Sequence, residues 1–239
     1  MIAQKMIKSL FMKLGYDIVR YAPSSHPLAR RKRLLESYEI NVLLDVGANT
    51  GQYGKQLREI GYKGKIISFE PLSDAYKKLV KNAKDDRSWE TFNYALGESE
   101  GKVDINVAEN SYSSSILEML PCHVKFEPES QYIGKEEIEI TALDLIFYSL
   151  CSPEDKLFLK IDTQGFENKV IKGAEQSLRF IDTVQLEMSL IPLYKGELLF
   201  NEMCSLLHEK EYRLVSIESG FSDSETGQLL QCDGIFHRF

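Results

Sequence analysis

Val42-Leu43-Leu44-Asp45-Val46-Gly47-Ala48-Asn49-Thr50-Gly51 is an apolar run that carries one acid and opens into a glycine-rich turn. A short apolar run bounded by glycine reads as a buried strand, Val42 to Val46, and the amphipathic spacing after it reads as a helix over about 51–60. A strand that feeds a helix through glycines is the opening of a βαβ unit. In such units the backbone approaches a ligand closely, just outside the carboxyl end of the strand.

The turn matches neither common phosphate-binding motif. Ala48 and Asn49 separate Gly47 from Gly51, so the Gly-x-Gly-x-x-Gly spacing is not met, and no Gly-Lys-Ser/Thr occurs. Asp45, just before the glycines, repels a pyrophosphate but suits a cationic ligand that bears an amino acid group. S-adenosylmethionine, with its sulfonium and α-ammonium, is such a ligand.

Outward from this turn, short apolar runs alternate with amphipathic stretches, the signature of a parallel sheet covered by helices. Strands are predicted at Lys65 to Phe69, Thr91 to Tyr94, Leu157 to Ile161 and Thr183 to Glu187, with helices at about 72–83 and 165–179. Gly97 to Gly101 reads as a hairpin turn before a strand at Lys102 to Val107, and about 108–135 is less regular. A helix near Leu198 to Lys210 and strands at Tyr212 to Ile217 and Gly234 to Phe239, joined through Gly220 to Gly227, close the sheet with an antiparallel hairpin.

Two further strands deliver acids to the same sheet edge. Glu70 follows Ile66-Ile67-Ser68-Phe69, where a carboxylate accepts from ribose hydroxyls and selects an adenosine without a 2′-phosphate. Asp162 follows Leu159-Lys160-Ile161 and faces the expected reacting centre, with Lys160 on the same strand face as a supporting partner. Read singly, Glu70 fits a helix N-terminal acid and Asp162 a helix cap.

These pieces, in this order, resemble the FkbM family of class I methyltransferases over roughly residues 40–239. The matching stretches are Asp45 to Gly51, Phe69-Glu70-Pro71, Asn93 to Leu96, Ser113-Ser114-Ser115, Leu159 to Glu167, Glu187-Met188 with Pro192-Leu193-Tyr194, and Asp233 to Arg238. The resemblance implies a doubly wound, Rossmann-like, seven-stranded, mostly parallel sheet and methyl transfer from S-adenosylmethionine to a hydroxyl of a sugar or natural product. It places Asp45, Gly47, Asn49 and Gly51 around the methionine part, Glu70 at the ribose, and Ala95 and Leu96 at the adenine, with Ala48, Tyr53, Pro71 and Asp162 as further cofactor-binding residues. Ser113, Ser114, Ser115 and Tyr194 border the acceptor pocket.

An alcohol needs a base, and Asp162, Glu187 and His123 are the candidates, Asp162 first because its strand end lies nearest the expected methyl group. His123 titrates near neutrality but, as a lone loop histidine, reads as exposed. Competing readings are an amine acceptor, a non-catalytic donor-binding subunit and, more remotely, a nicotinamide oxidoreductase. The missing third glycine speaks against the last.

Composition narrows the partners. A formal net charge of −7 argues against a nucleic-acid partner. Cys122, Cys151, Cys204 and Cys232 are dispersed without a Cys-x-x-Cys pair, which predicts neither a metal site nor a disulfide framework and fits a reducing cytoplasm. No run reaches the roughly 18 apolar residues of a membrane span. Residues 1–40 form a separate helical segment, a cap or a homodimer seam, before the domain at 41–239. Its helices at about 2–15 and 27–38 flank Ala22-Pro23-Ser24-Ser25. Ile2, Met6, Leu10 and Leu14 recur every four residues, predicting a face packed on the domain or on a second copy rather than on a membrane surface. Arg30-Arg31-Lys32-Arg33 reads as a solvated helix face.

Overall fold

The computed structural model describes residues 2–239, with side chains from residue 6 onward. Its centre is β1 (Val42–Val46), buried at every position. Flanking it are β2 (Lys65–Phe69) and β7 (Leu157–Ile161), both parallel to it. Beyond them lie β3 (Trp89–Phe92) on one side, and β8 (Ile181–Ser189), β10 (Gln231–His237) and β9 (Arg213–Ser219) on the other, giving the order β3-β2-β1-β7-β8-β10-β9. Only β10 runs antiparallel to its neighbours, so the sheet is seven-stranded and mostly parallel, as the resemblance implies.

Strand alternation divides the core. Val42, Leu44 and Val46 point into one cluster with Leu143, Phe147, Ile171 and Leu207. That face carries α6 (Leu143–Leu150), α7 (Glu167–Gly173) and α8 (Phe200–Glu209). Leu43, Ile66 and Phe158 point the other way, against Leu35 of α2 (Pro27–Ser37), Leu57 of α3 (Gln52–Glu59) and Leu79 of α4 (Ser73–Ala83). Asp45 shares the parity of Leu43 and therefore lies beneath α2 and α3, on the second face.

Three features differ from the sequence reading. β4 (Ala95–Leu96), β5 (Gly101–Ala108) and β6 (Tyr132–Thr141) form a separate three-stranded sheet in the order β4-β6-β5. The expected irregular stretch contains α5 (Pro121–Phe126) and the start of β6. The predicted helix over 165–179 stops at Gly173, where an added Cβ would come within 1.7 Å of the Gly97 carbonyl oxygen, and a 3₁₀ turn, Ser177–Phe180, follows.

The two amino-terminal helices behave differently from each other. α2 packs into the domain, and Arg31 is buried rather than solvated. It pairs with Glu218, donates to Gln56 Oε1 at 2.6 Å and lies 4.8 Å over the Tyr53 ring. On α1 (Ile2–Lys13), Met6 and Leu10 are exposed, as is Leu14 just beyond it, so the expected stripe is not packed on this chain. The side chain of Ile2 lies outside the described residues. Among the described residues no helix is long and apolar enough to cross a membrane.

Candidate active site

The carboxyl ends of β1, β2 and β7 open into a cavity of about 390 Å³, within the range that buries a small ligand. Its narrowest constraint is Gly47, at φ +74. A Cβ there would lie 1.8 Å from the Asp162 carbonyl oxygen, so only glycine lets the β1 and β7 turns meet. Asn49 also adopts the left-handed region, at φ +47, which turns its backbone N–H onto Glu70 Oε2 at 2.7 Å.

Glu70 ties three turns together. Its other carboxylate oxygen accepts from the Leu72 N–H at 2.9 Å, and its carbonyl accepts from Asn93 Nδ2 at 2.9 Å. Burial pushes its pKa up to about 7, against the pull of the Leu72 and Asn49 N–H groups. Each carboxylate oxygen keeps a lone pair for a ligand hydroxyl. Around this acid the cavity wall is backbone and small apolar side chains, including Ala48, Pro71, Ala95 and Leu96, with Phe166 opposite.

Along the floor of the cavity runs a row of polar side chains, one from each strand. Register places Ser68, Asp45, Lys160 and Gln185 side by side. Lys160 Nζ stands 3.2 Å from Asp45 Oδ1 and 3.4 Å from Asp162 Oδ2, and donates to the Gly47 carbonyl at 3.1 Å. Burial alone would lower the Lys160 pKa, but Asp162 and Asp45 override it and hold the ammonium charged. Ser68 Oγ donates to Asp45 Oδ2 at 3.3 Å, and Tyr53 OH donates to Gln185 Oε1 at 2.7 Å. Gln185 Nε2 in turn donates to Asp233 Oδ1 at 3.2 Å.

Next to this row, Gln164 joins two acids. Held at φ +55, it donates from Nε2 to Asp162 Oδ1 at 2.9 Å and to Glu187 Oε2 at 2.7 Å, while its Oε1 accepts from Tyr194 OH at 2.8 Å. Gln231 Nε2 adds a second donor to Glu187 at 2.9 Å. Burial, with the nearby Asp162 and Asp233 charges, raises the Glu187 pKa well above the usual carboxylate range. Asp162 is the open member, its side chain 37% exposed.

These acids make stability depend on pH with a definite sign. Glu70 and Glu167, both displaced by burial to about 7, hold protons in the fold that the unfolded chain, at an ordinary 4.5, has released. Their contribution is present in full below 4.5 and is lost as pH rises through 7. Scanning calorimetry of the ligand-free protein should show the unfolding midpoint falling between about pH 5 and pH 8, and Glu167→Gln should flatten that slope. A midpoint that rises across the window would contradict the burial of these groups.

The cavity brings together Gly47, Ala48, Asn49, Tyr53, Glu70, Pro71, Ala95, Leu96, Ser114, Asp162 and Glu187. Four expectations need correction. Asp45 is fully buried against Lys160 and shapes the floor instead of facing the ligand. Gly51 caps α3, facing Leu79 and Trp89 behind the wall. Ser113, Ser115 and Tyr194 are buried behind Gln164: Ser115 Oγ donates to the Gln164 carbonyl at 2.7 Å, and Tyr194 OH donates to the Ser113 carbonyl at 3.2 Å. His123 is buried on α5 against Tyr194 and Phe221, outside the cavity lining, and burial lowers its pKa to about 4.

Sequence reasoning gave no role to Gln164, Gln185, Asp233 or Arg31, all of which line the cavity. Gln185 carried a usable signal, a polar residue two before Glu187 in the same strand and hence on the same sheet face. Arg31 carried none, because only tertiary packing brings α2 over the cavity.

Compared with known proteins, the sequence matches the methyltransferase FkbM domain over residues 45–214. The chain belongs to the FkbM methyltransferase family. It is therefore an S-adenosylmethionine-dependent methyltransferase. This FkbM-family protein is 23% identical over 172 residues to the 2-O-methyltransferase NoeI of Sinorhizobium fredii, a match covering 70% of each chain. Among solved structures it is similar to an S-adenosylmethionine-dependent methyltransferase from Aquifex aeolicus, at 10% identity and a TM-score of 0.43, covering 92% of this chain and 100% of that one. A Pyrococcus horikoshii protein described as an RNA methyltransferase aligns at 12% identity and a TM-score of 0.46, over 88% of this chain and 82% of the other. Scores of this size add nothing to what the strand order itself establishes.

Proposed function

We propose that this enzyme transfers a methyl group from S-adenosylmethionine to a hydroxyl of a sugar or natural product. Supporting the donor's place is the fit of the cavity around Glu70: a Gly47 turn with no room for a side chain, a carboxylate with free lone pairs for ribose, and small apolar walls at Ala95 and Leu96 for adenine. When bound, the donor would supply an electrophilic methyl on a sulfonium: the acceptor oxygen would bond to that carbon as the carbon–sulfur bond breaks, with S-adenosylhomocysteine as the leaving group.

The rest falls to the chain. Holding two reactants in line accounts for on the order of 7–11 kcal/mol of barrier lowering. Asp162 takes the acceptor hydroxyl's proton, since its side chain is 37% exposed at the cavity and is held in place by Gln164 at one oxygen and by Lys160 at the other. A base so positioned adds about 10²–10⁴ in rate. Glu187, its pKa raised by burial and by the neighbouring acids, stands beside Asp162 through the shared Gln164 amide at the acceptor end.

The observation that carries the reading is this amide-bridged pair of acids beside a donor-shaped cavity. The name of the Sinorhizobium relative, a 2-O-methyltransferase, supports oxygen over nitrogen as the acceptor. Incubation with methyl-tritiated S-adenosylmethionine and a panel of saccharides, hydroxylated polyketides and amines tests it. Label should appear as a methyl ether on a saccharide or polyketide hydroxyl and be lost in Asp162→Asn; label on amines alone would replace the hydroxyl reading.

A further inference from the structure

The exposed apolar surface of this molecule is concentrated on one segment that the active site does not use. From Met6 to Tyr21, large apolar side chains stand between 39% and 69% exposed, among them Ile7, Leu10, Phe11 and Leu14. On α1, Met6, Ile7, Leu10 and Phe11 recur at helical spacing and form one stripe, with Lys8 and Lys13 bordering it on opposite sides and Met12 outside it. Residues 1–21 carry four basic residues, Lys5, Lys8, Lys13 and Arg20, against the single acid Asp17, although the whole chain carries −7. The charge of this arm is thus opposite in sign to that of the body.

We propose that α1 and the following residues to Tyr21 dock the enzyme on an anionic lipid surface. An apolar stripe flanked by lysines places its side chains at the acyl boundary, while the lysine stems reach back to the headgroups. Twelve residues give a helix about 18 Å long, shorter than the roughly 30 Å hydrocarbon core, so α1 lies in the interface and does not cross it. A second copy of this chain fits less well. Among the described residues elsewhere, the exposed large apolar side chains, such as Val80, Tyr112 and Ile133, are scattered over separate elements and offer no matching patch, and pairing α1 with α1 would bring like charges together. The arm is tied to the cavity through the Arg20–His26 turn, where Ser25 Oγ donates to the Arg20 carbonyl at 2.8 Å and Arg30 of α2 donates to the Pro23 carbonyl at 3.0 Å.

Co-sedimentation of the full chain with equimolar phosphatidylcholine and phosphatidylglycerol vesicles tests this without reference to any activity. Binding is expected at low salt and should drop at least tenfold on pure phosphatidylcholine vesicles. Lys8→Gln/Lys13→Gln should weaken it about tenfold, somewhat less than two free lysines would give because Lys8 pairs with Asp17 at 3.1 Å. Leu10→Asp/Phe11→Asp should abolish it with the circular dichroism melt of the body unchanged. Failure of the folded wild type to sediment with anionic vesicles, or equal sedimentation with neutral ones, overturns the proposal. So does a concentration-dependent dimer, abolished by Leu10→Asp, in a protein that ignores vesicles.

Discussion

Gly47→Ala destroys donor binding and lowers the unfolding midpoint by roughly 10 °C, a loss of about 3–5 kcal/mol. Two penalties act together. The substituted residue is held at φ +74, where a side chain is strained, and its Cβ meets the Asp162 carbonyl oxygen, which belongs to backbone and has no rotamer to give way. Relief requires the β1 and β7 turns to part, and that separation moves Asn49 from Glu70 and Asp162 from Lys160 in the same displacement. Calorimetric titration of S-adenosylhomocysteine together with a thermal melt measures both losses. An alanine variant with native stability and native affinity would show that the two turns do not meet as described.

Lys160→Met should cost about 3–5 kcal/mol, because it leaves Asp45, with no exposed surface at all, as an uncompensated buried charge. Adding Asp45→Leu should return most of that loss, since a well-packed apolar pair is an adequate substitute for a buried ion pair. Urea unfolding of the two single variants and the double gives the coupling. Strictly additive losses would mean that the 3.2 Å pair is not an energetic unit. The cycle also separates structure from chemistry: the double variant should fold yet turn over slowly, because Asp162 loses the cation that holds one of its oxygens.

The strands β1, β2 and β7 were legible to the residue in the sequence because their signals are local: five-residue, mostly apolar runs, each closed by a glycine or an acid. β6 was not, since its first half, Tyr132-Ile133-Gly134-Lys135-Glu136, shows no alternation and only Ile138 and Ile140, on either side of Glu139, mark the strand. α6 was missed for the opposite reason, as Leu143 to Leu150 is apolar almost throughout and shows no polar face.

In the site, the strand-end acids were visible as residues but not as charges. Asp45 read as a ligand because its strand position was taken without its parity. Register with Lys160 across the sheet turns it into a buried partner, so the cavity's net field is weaker than three free acids would make it. Of the serine run only Ser114 reaches the cavity, because Ser115 Oγ is turned onto the Gln164 carbonyl and the Ser113 backbone carbonyl onto Tyr194 OH. Contacts of this kind join residues 49 and 81 positions apart, and no local pattern encodes them.

Everything functional here rests on an adenosyl donor seated at the ends of β1 and β2 with Glu70 holding its ribose. Isothermal titration of S-adenosylmethionine near neutral pH, into the wild type and into Glu70→Ala, tests it most directly. One donor should bind per wild-type chain, and the variant should bind about 10- to 100-fold more weakly, the worth of hydrogen bonds to a charged acceptor. Undiminished affinity in a folded Glu70→Ala protein, or no heat from the folded wild type, would contradict it.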